Sequence, residues 1–188
     1  MKKSTMIVIG IIAVILILVI GSYNGLVDKE ESVNTALSQI DNQLQRRNDL
    51  IPNLVETVKR YAAQEEEIFT QVAEARSKLA GAGSVVEQAE GDAELTGALS
   101  RLLAIAENYP ELKSNENFIQ LQDELAGTEN RIATARKDYN DIAKSYNSRI
   151  RKFPTNIFAN IFGFDKVDYF TASEEAKENP DVGDLFDE

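Results

Sequence analysis

FIQLQDELAGTENRIATARKDYNDIAKSYNSRIRKF, residues 118–153, decides the fold of this chain. Its seam residues return at alternating spacings of three and four: Phe118, Leu121, Leu125, Thr128, Ile132, Ala135, Tyr139, Ile142, Tyr146, Arg149 and Phe153. Thr128 and Arg149 are the two polar interruptions. Such spacing keeps one stripe on one side of a helix, and over this length it marks a helix packed against others in a bundle. Three shorter segments upstream share the pattern. Val33, Leu37, Ile40 and Leu44 form the first stripe; Leu54, Val58, Tyr61, Ile68, Val72, Ala75 and Leu79, broken only at Glu65, form the second; Leu95, Leu99, Leu102, Ala106 and Tyr109 form the third. No stretch alternates with period two, so no sheet is expected. The chain reads as all-α, with an antiparallel up-and-down four-helix bundle over residues 24–153.

Helix punctuation places the turns. Asn48 or Asp49 can cap a helix that accepts Pro52 in its first turn, where proline sacrifices no hydrogen bond; a kinked continuous helix is the alternative. Gly81, Gly83 and Gly91 read as a loose connection, and Tyr109-Pro110 with Ser114 ends one helix and starts the next. Gly97 and Gly127 sit inside helical patterns at about 1 kcal/mol each relative to Ala, which suggests close helix contact there.

Ahead of the bundle, Ile7 to Ile20 are all Ile, Val or Leu except Gly10 and Ala13. At roughly 0.4 kcal/mol per residue the twelve favour membrane insertion by about 5 kcal/mol. Ser4 to Tyr23 holds no charge and reaches about 30 Å as a helix, the thickness of the hydrocarbon core. Residues 1–23 therefore read as a membrane anchor, with Ile7, Ile11, Val14, Leu18 and Ile20 along its lipid-facing surface. A cleaved signal peptide is the competing reading, but Val19-Ile20-Gly21 is a poor cleavage site. Lys2 and Lys3 lie before the span, while Asp28, Glu30, Glu31 and Asp41 outnumber Lys29 after it. The positive-inside rule then puts the amino terminus in the cytoplasm and the domain outside the cell membrane.

Composition narrows the chemistry. The chain has no Cys and no His, which removes thiolate catalysis, disulfides, zinc and iron–sulfur centres and the commonest general base. Glu65 facing Glu107 across a bundle would resemble a hydrolytic carboxylate pair, but a bundle this narrow lacks a groove for a polymer. No catalytic, cofactor or metal site is expected. The net charge is −11, yet residues 171–188 carry seven acids against Lys177. This tail, 173–188 in the domain division, reads as solvated and disordered, or less often as a peptide ligand for a basic partner. The rest is only mildly acidic and offers nucleic acid no footprint.

Residues 154–172 differ in character. Phe158, Phe162, Phe164 and Phe170 crowd together just after Phe153, and Ile157, Phe158, Ile161 and Phe162 share one face of a short helix ended by Gly163. Packing back on the bundle is expected, with docking on the membrane interface or a partner as the alternative. On the fourth helix Tyr139-Asn140 and Tyr146-Asn147 recur one heptad apart and read as a structural polar seam. Glu129, Arg131 and Arg136 are placed to pair with Arg76, Asp41 or Glu107. If the bundle runs up and down from the membrane, Arg46 to Pro52 and Tyr109 to Lys113 form one distal tip, and Arg46, Arg47, Asp49, Asn53, Tyr109 and Lys113 become a candidate partner-binding cluster. The competing view has Arg46 and Arg47 simply capping a helix C-terminus.

Several motifs resemble the LemA family: Ser38-Gln39-Ile40-Asp41, Arg46-Arg47, Asp49-Leu50-Ile51-Pro52-Asn53-Leu54, Glu107 with Tyr109-Pro110, Thr128-Glu129-Asn130-Arg131-Ile132-Ala133, Tyr139-Asn140, Phe153-Pro154 and Gly163-Phe164. The resemblance covers Tyr23 to about Phe170. It implies a membrane-anchored helical bundle and no known reaction. Arg60, Gln64 and Leu37 depart from residues common in the family, namely Gly, His and Trp. The function expected is a non-enzymatic, single-pass scaffolding or interaction module, anchored in the lipid bilayer, with an unidentified protein partner and with homo-oligomerisation open to it. A sensory bundle binding a small ligand between helices is the alternative.

Overall fold

A computed structural model describes residues 3–171, and among these every regular element is helical. Lys2 and the acidic tail from 173 lie outside the described residues. The elements are α1 (Lys3–Lys59), α2 (Glu66–Ala80), α3 (Val85–Ala106), the single turn α4 (Pro110–Lys113), α5 (Glu116–Arg151) and the short α6 (Thr155–Phe162). The amino-terminal part of α1 is long and apolar enough to cross a membrane, and its large side chains from Met6 to Ile20 are exposed except for the half-buried Val19.

No turn interrupts α1 at Arg46 to Pro52; the helix runs through Pro52 to Lys59, and the first turn lies at residues 60–65. An interior proline costs about 3 kcal/mol, because the carbonyl four residues back loses its partner. Ile51, Leu54 and Val58 are fully buried around it, and each contributes about 1.5–3 kcal/mol. Burial wins over local punctuation. Glu65, the one break in the second stripe, marks the true boundary. From Asn24 to Lys59 the helix has 36 residues, the same length as α5.

The described chain divides into two compact units. One holds α1 up to Asp41 together with Thr134–Asp168. Its core is Leu26, Val33, Ala36 and Ile40 of α1, Tyr139, Ala143, Tyr146 and Ile150 of α5, and Ala159 and Phe164. The α5 seam thus drifts from the heptad positions Ile142, Arg149 and Phe153 to Ala143 and Ile150, because a straight helix repeats every 3.6 residues rather than 3.5. Gly163 takes a left-handed conformation (φ 76°) that ends α6, and the Phe164 amide donates to the Ala159 carbonyl at 3.0 Å.

The other unit holds Asn42–Ala133 and the described residues 169–171. Ile51, Leu54 and Val58 of α1 meet a core supplied by α2 (Ile68, Val72, Leu79), α3 (Leu95, Leu99, Leu102) and the start of α5 (Phe118, Leu125, Ile132). Helices α2 and α3 are antiparallel: Lys78 pairs with Glu94 at 2.7 Å and Arg101 donates to Gln71 at 2.9 Å. The connection between them is tight. Ser84 caps α3 by accepting the Glu87 amide, and the Glu87 carboxylate accepts the Gly83 amide at 2.8 Å. Gly91 belongs to α3 and not to a loose connection; a Cβ there would come within 2.9 Å of Leu79 Cα. The close helix contact is at Gly91, while Gly97 has open space around its Cβ position and Gly127 meets only the tip of Arg131.

Gly91→Ala should therefore destabilise the chain by about 1–3 kcal/mol in urea unfolding, as overpacking does. Gly97→Ala should stabilise it by about 0.5–1 kcal/mol. Equal effects at the two sites would contradict the packing described.

Candidate functional site

The sequence puts two adjacent arginines on α1, and the fold gives them opposite roles. Arg47 points inward and is only 4% exposed. Its Nη1 lies 2.7 Å from Asp92 Oδ1 on α3 and 2.8 Å from Glu129 Oε2 on α5, and its Nη2 donates to Thr96 Oγ1 at 3.0 Å. Thr96 in turn donates to the Asp92 carbonyl at 2.8 Å, so its hydroxyl is fixed as an acceptor for Arg47. Asp92 is 1% exposed. One guanidinium thereby joins three helices of the unit, a use that suits its planar fork of donors. Glu129 pairs with Arg47, and Arg76 donates its Nε–H to Asn48 Oδ1 at 2.8 Å.

The remaining residues of the candidate cluster stay at the surface of this unit in two places. Arg46 faces Glu124 at 3.5 Å with both side chains half exposed, and Asp49 accepts from Gln45 at 2.8 Å. Asn53 is exposed and lines an open depression with Glu56, Arg60, Asn117, Gln120 and Glu124. Tyr109 and Lys113 instead sit at the turn around α4. There the Tyr109 hydroxyl accepts from Gln64, and Asn115 donates to the Tyr61 hydroxyl at 3.2 Å, so residues 60–65 and 109–115 meet. Asn115 also caps α5 by accepting the Phe118 amide at 3.1 Å. Tyr61 and Gln64 are thus the partners of the Tyr109 turn, in the place the sequence suggested for Arg46 to Pro52. Among the described residues no group of three acidic side chains is arranged to hold a metal.

In the other unit both seam tyrosines are buried. The Tyr139 hydroxyl donates to the Asp168 carbonyl at 2.8 Å, and Asn147 makes a reciprocal pair with the Val167 backbone at 2.9 and 3.0 Å. These bonds lay the segment after α6 along α5. The Tyr146 hydroxyl has no hydrogen-bond partner among the described residues. Burial pushes both phenols above their ordinary pKa, helped by Asp168 at Tyr139 and by Glu30 and Asp165 at Tyr146. Beside them, Tyr23 of α1 packs edge-on against Phe162 (5.0 Å between centroids) and Phe164 (5.8 Å).

The sequence model of the LemA family matches residues 36–183. Magnetosome protein MamQ 2 of Paramagnetospirillum magneticum is 32% identical over 196 residues, covering 90% of this chain and 71% of that protein. Magnetosome protein MamQ of Magnetospirillum gryphiswaldense is also 32% identical, over 79% of this chain and 64% of its own length. Protein LemA of Metamycoplasma hominis is 29% identical, over 88% and 76% respectively. None of these names denotes a reaction.

Removing one partner of the buried cluster should unfold more than it disables. Arg47→Ala should cost about 3–5 kcal/mol in urea unfolding, because the buried Asp92 carboxylate loses the guanidinium at 2.7 Å; a paired Arg47→Met, Asp92→Leu variant should recover most of that loss. Arg46→Ala should cost less than about 1 kcal/mol. The tyrosines give a pH test. A phenol whose folded pKa is raised contributes stability that is whole below about pH 10, the unfolded value, and is lost as pH rises through the folded value. Melting temperature should fall above that pH, and the fall should shrink in the Tyr139→Phe, Tyr146→Phe double variant. At neutral pH Tyr139→Phe should cost about 1 kcal/mol and Tyr146→Phe nothing.

Proposed function

The chain belongs to the LemA family, and on that footing we propose that it is a non-enzymatic interaction module held at a membrane by the amino-terminal part of α1, with its helical domain on the extracytoplasmic side and a protein partner bound by exposed polar residues. The observation that carries this reading is the continuity of α1: the apolar span passes into the folded part as one helix, with no linker between them. We read this segment as a retained anchor rather than as a leader to be removed, because Val19-Ile20-Gly21 is a poor cleavage site. Single-pass anchoring, one copy of the chain per span, leaves the polar surface of the domain as the region available for assembly.

Catalysis has little to draw on. Glu65 is at the N-terminus of α2 and Glu107 is exposed at the C-terminus of α3. Arg47, the most chemically distinctive residue of the candidate cluster, is committed to holding helices together. The partner face is then Arg46, Asp49 and Asn53 on α1, with Tyr109 and Lys113 at the α4 turn. Polar residues around a shallow surface suit recognition of a protein partner better than capture of a small molecule, which needs an enclosed site.

Because the chain contains no cysteine, Lys113→Cys supplies a single thiol for labelling. A membrane-impermeant maleimide should modify it on intact cells, and labelling only after lysis would reverse the orientation. A photocrosslinking residue at Asn53 should give discrete protein adducts that Arg46→Glu removes without a change in melting temperature. Adducts that persist unchanged would overturn this partner face.

A further inference from the structure

Helix α6 turns two of its large aliphatic side chains, Ile157 and Ile161, away from the core. Its buried residues are the small Thr155 and Ala159, with Phe158 half-buried beside them, whereas Ile157 and Ile161 face outward, Phe162 lies against Tyr23 and is 44% exposed, and Phe153 just before it is 82% exposed. Ile161 is 67% exposed. Outside the span, the described large apolar side chains left exposed are concentrated here: Tyr23, Val27, Phe153, Ile157, Ile161 and Phe162 lie in one unit, while Val86 and Ile119 stand singly elsewhere. A contiguous apolar patch of this kind calls for an occupant.

The occupant follows from the position of the patch. Phe162 packs against Tyr23, and Tyr23 is only three residues beyond Ile20, the last residue of the apolar run, or about 5 Å along the helix. The exposed face of α6 is therefore continuous with the lipid-facing surface of α1. Tyr23 is itself a residue suited to the headgroup level of a bilayer. The cations Arg149, Arg151 and Lys152 are exposed at the end of α5, immediately before α6, where anionic headgroups would receive them. Lipid matches the patch in both place and charge.

We propose that α6 lies in the interfacial region of the leaflet from which α1 emerges, with Phe153, Ile157, Ile161 and Phe162 dipping into the lipid and Thr155 and Ala159 seated on the protein. The domain then has two membrane attachments, a span and an interfacial helix, which fix its rotation about the α1 axis as well as its height. This rests on α1 spanning the bilayer.

The chain has no tryptophan, so single tryptophans report their own surroundings. The full-length protein is reconstituted in phosphatidylcholine–phosphatidylglycerol vesicles containing brominated lipid, with Ile161→Trp and, independently, Phe153→Trp as probes. Ile15→Trp is the positive control inside the span. Asp138→Trp is the negative control, exposed on α5 about 20 Å from its end. Ile161→Trp and Phe153→Trp should shift to shorter emission wavelength and lose emission to lipid brominated near the headgroup more than to lipid brominated near the chain ends, while Asp138→Trp loses none. If Ile15→Trp is quenched and both α6 probes are not, the interfacial helix is wrong and the anchor stands; a blue shift without quenching would mean protein covers the face. If Ile15→Trp escapes quenching, the anchor and the proposal fall together.

Discussion

Both compact units are built on one unbroken helix, and that constraint governs the rest of the structure. Over Met6 to Ile20 the large side chains of α1 are exposed except for the half-buried Val19, a surface long and apolar enough to cross a membrane. From Leu26 to Ile40 the same helix supplies the core of one unit, and from Leu44 to Val58 that of the other. The change from an all-round apolar surface to a one-sided stripe occurs within a few residues of Tyr23. The backbone hydrogen bonds of the span are satisfied internally, as a bilayer demands, and they need not be broken for the domain to begin.

Within the unit that starts at Asn42, the apolar seam makes the helices associate and the Arg47 cluster specifies which residues meet. Leu, Ile and Ala seams tolerate sliding by a turn because one apolar contact resembles the next. A guanidinium that must meet Asp92, Thr96 and Glu129 together tolerates no such slip, since displacement separates buried opposite charges. Gly91, one residue before Asp92, lets α3 approach the Leu79 backbone closely enough for α2 and α3 to share the same core. Specificity and close approach thus sit side by side in the sequence.

The helices were legible because large apolar residues at spacings of three and four have few other readings. The helix ends were harder. Asn48, Asp49 and Pro52 carry the local signature of a helix start, yet the burial of Ile51, Leu54 and Val58 outweighs it, and only a three-dimensional core reveals that balance. Arg47 was legible as part of a motif but not as buried, because its partner Asp92 is 45 residues away and arginine is mostly found at surfaces. The stripe on α6 was visible as a stripe, but which side faces the protein depends on how near the neighbouring helices come: Thr155 and Ala159 are buried, Phe158 is half-buried, and Ile157 and Ile161 are left exposed. Tyr146 and Tyr139 look alike in sequence; the Asp168 carbonyl serves one of them, and among the described residues none serves the other.

The central claim, that the apolar span continues into the first core stripe of α1 as one helix, meets its most direct test at Gly21 and Gly25, where two glycines in open surroundings would make a hinge easiest. Amide hydrogen exchange of the full-length protein in lipid vesicles, resolved from Leu18 to Val33, measures it. Continuous slow exchange across Gly21 to Val27, no faster than at Val33 in the core, is the result predicted. A window of fast exchange at Gly21 to Gly25 between two protected segments would show a flexible tether instead, and would contradict the account.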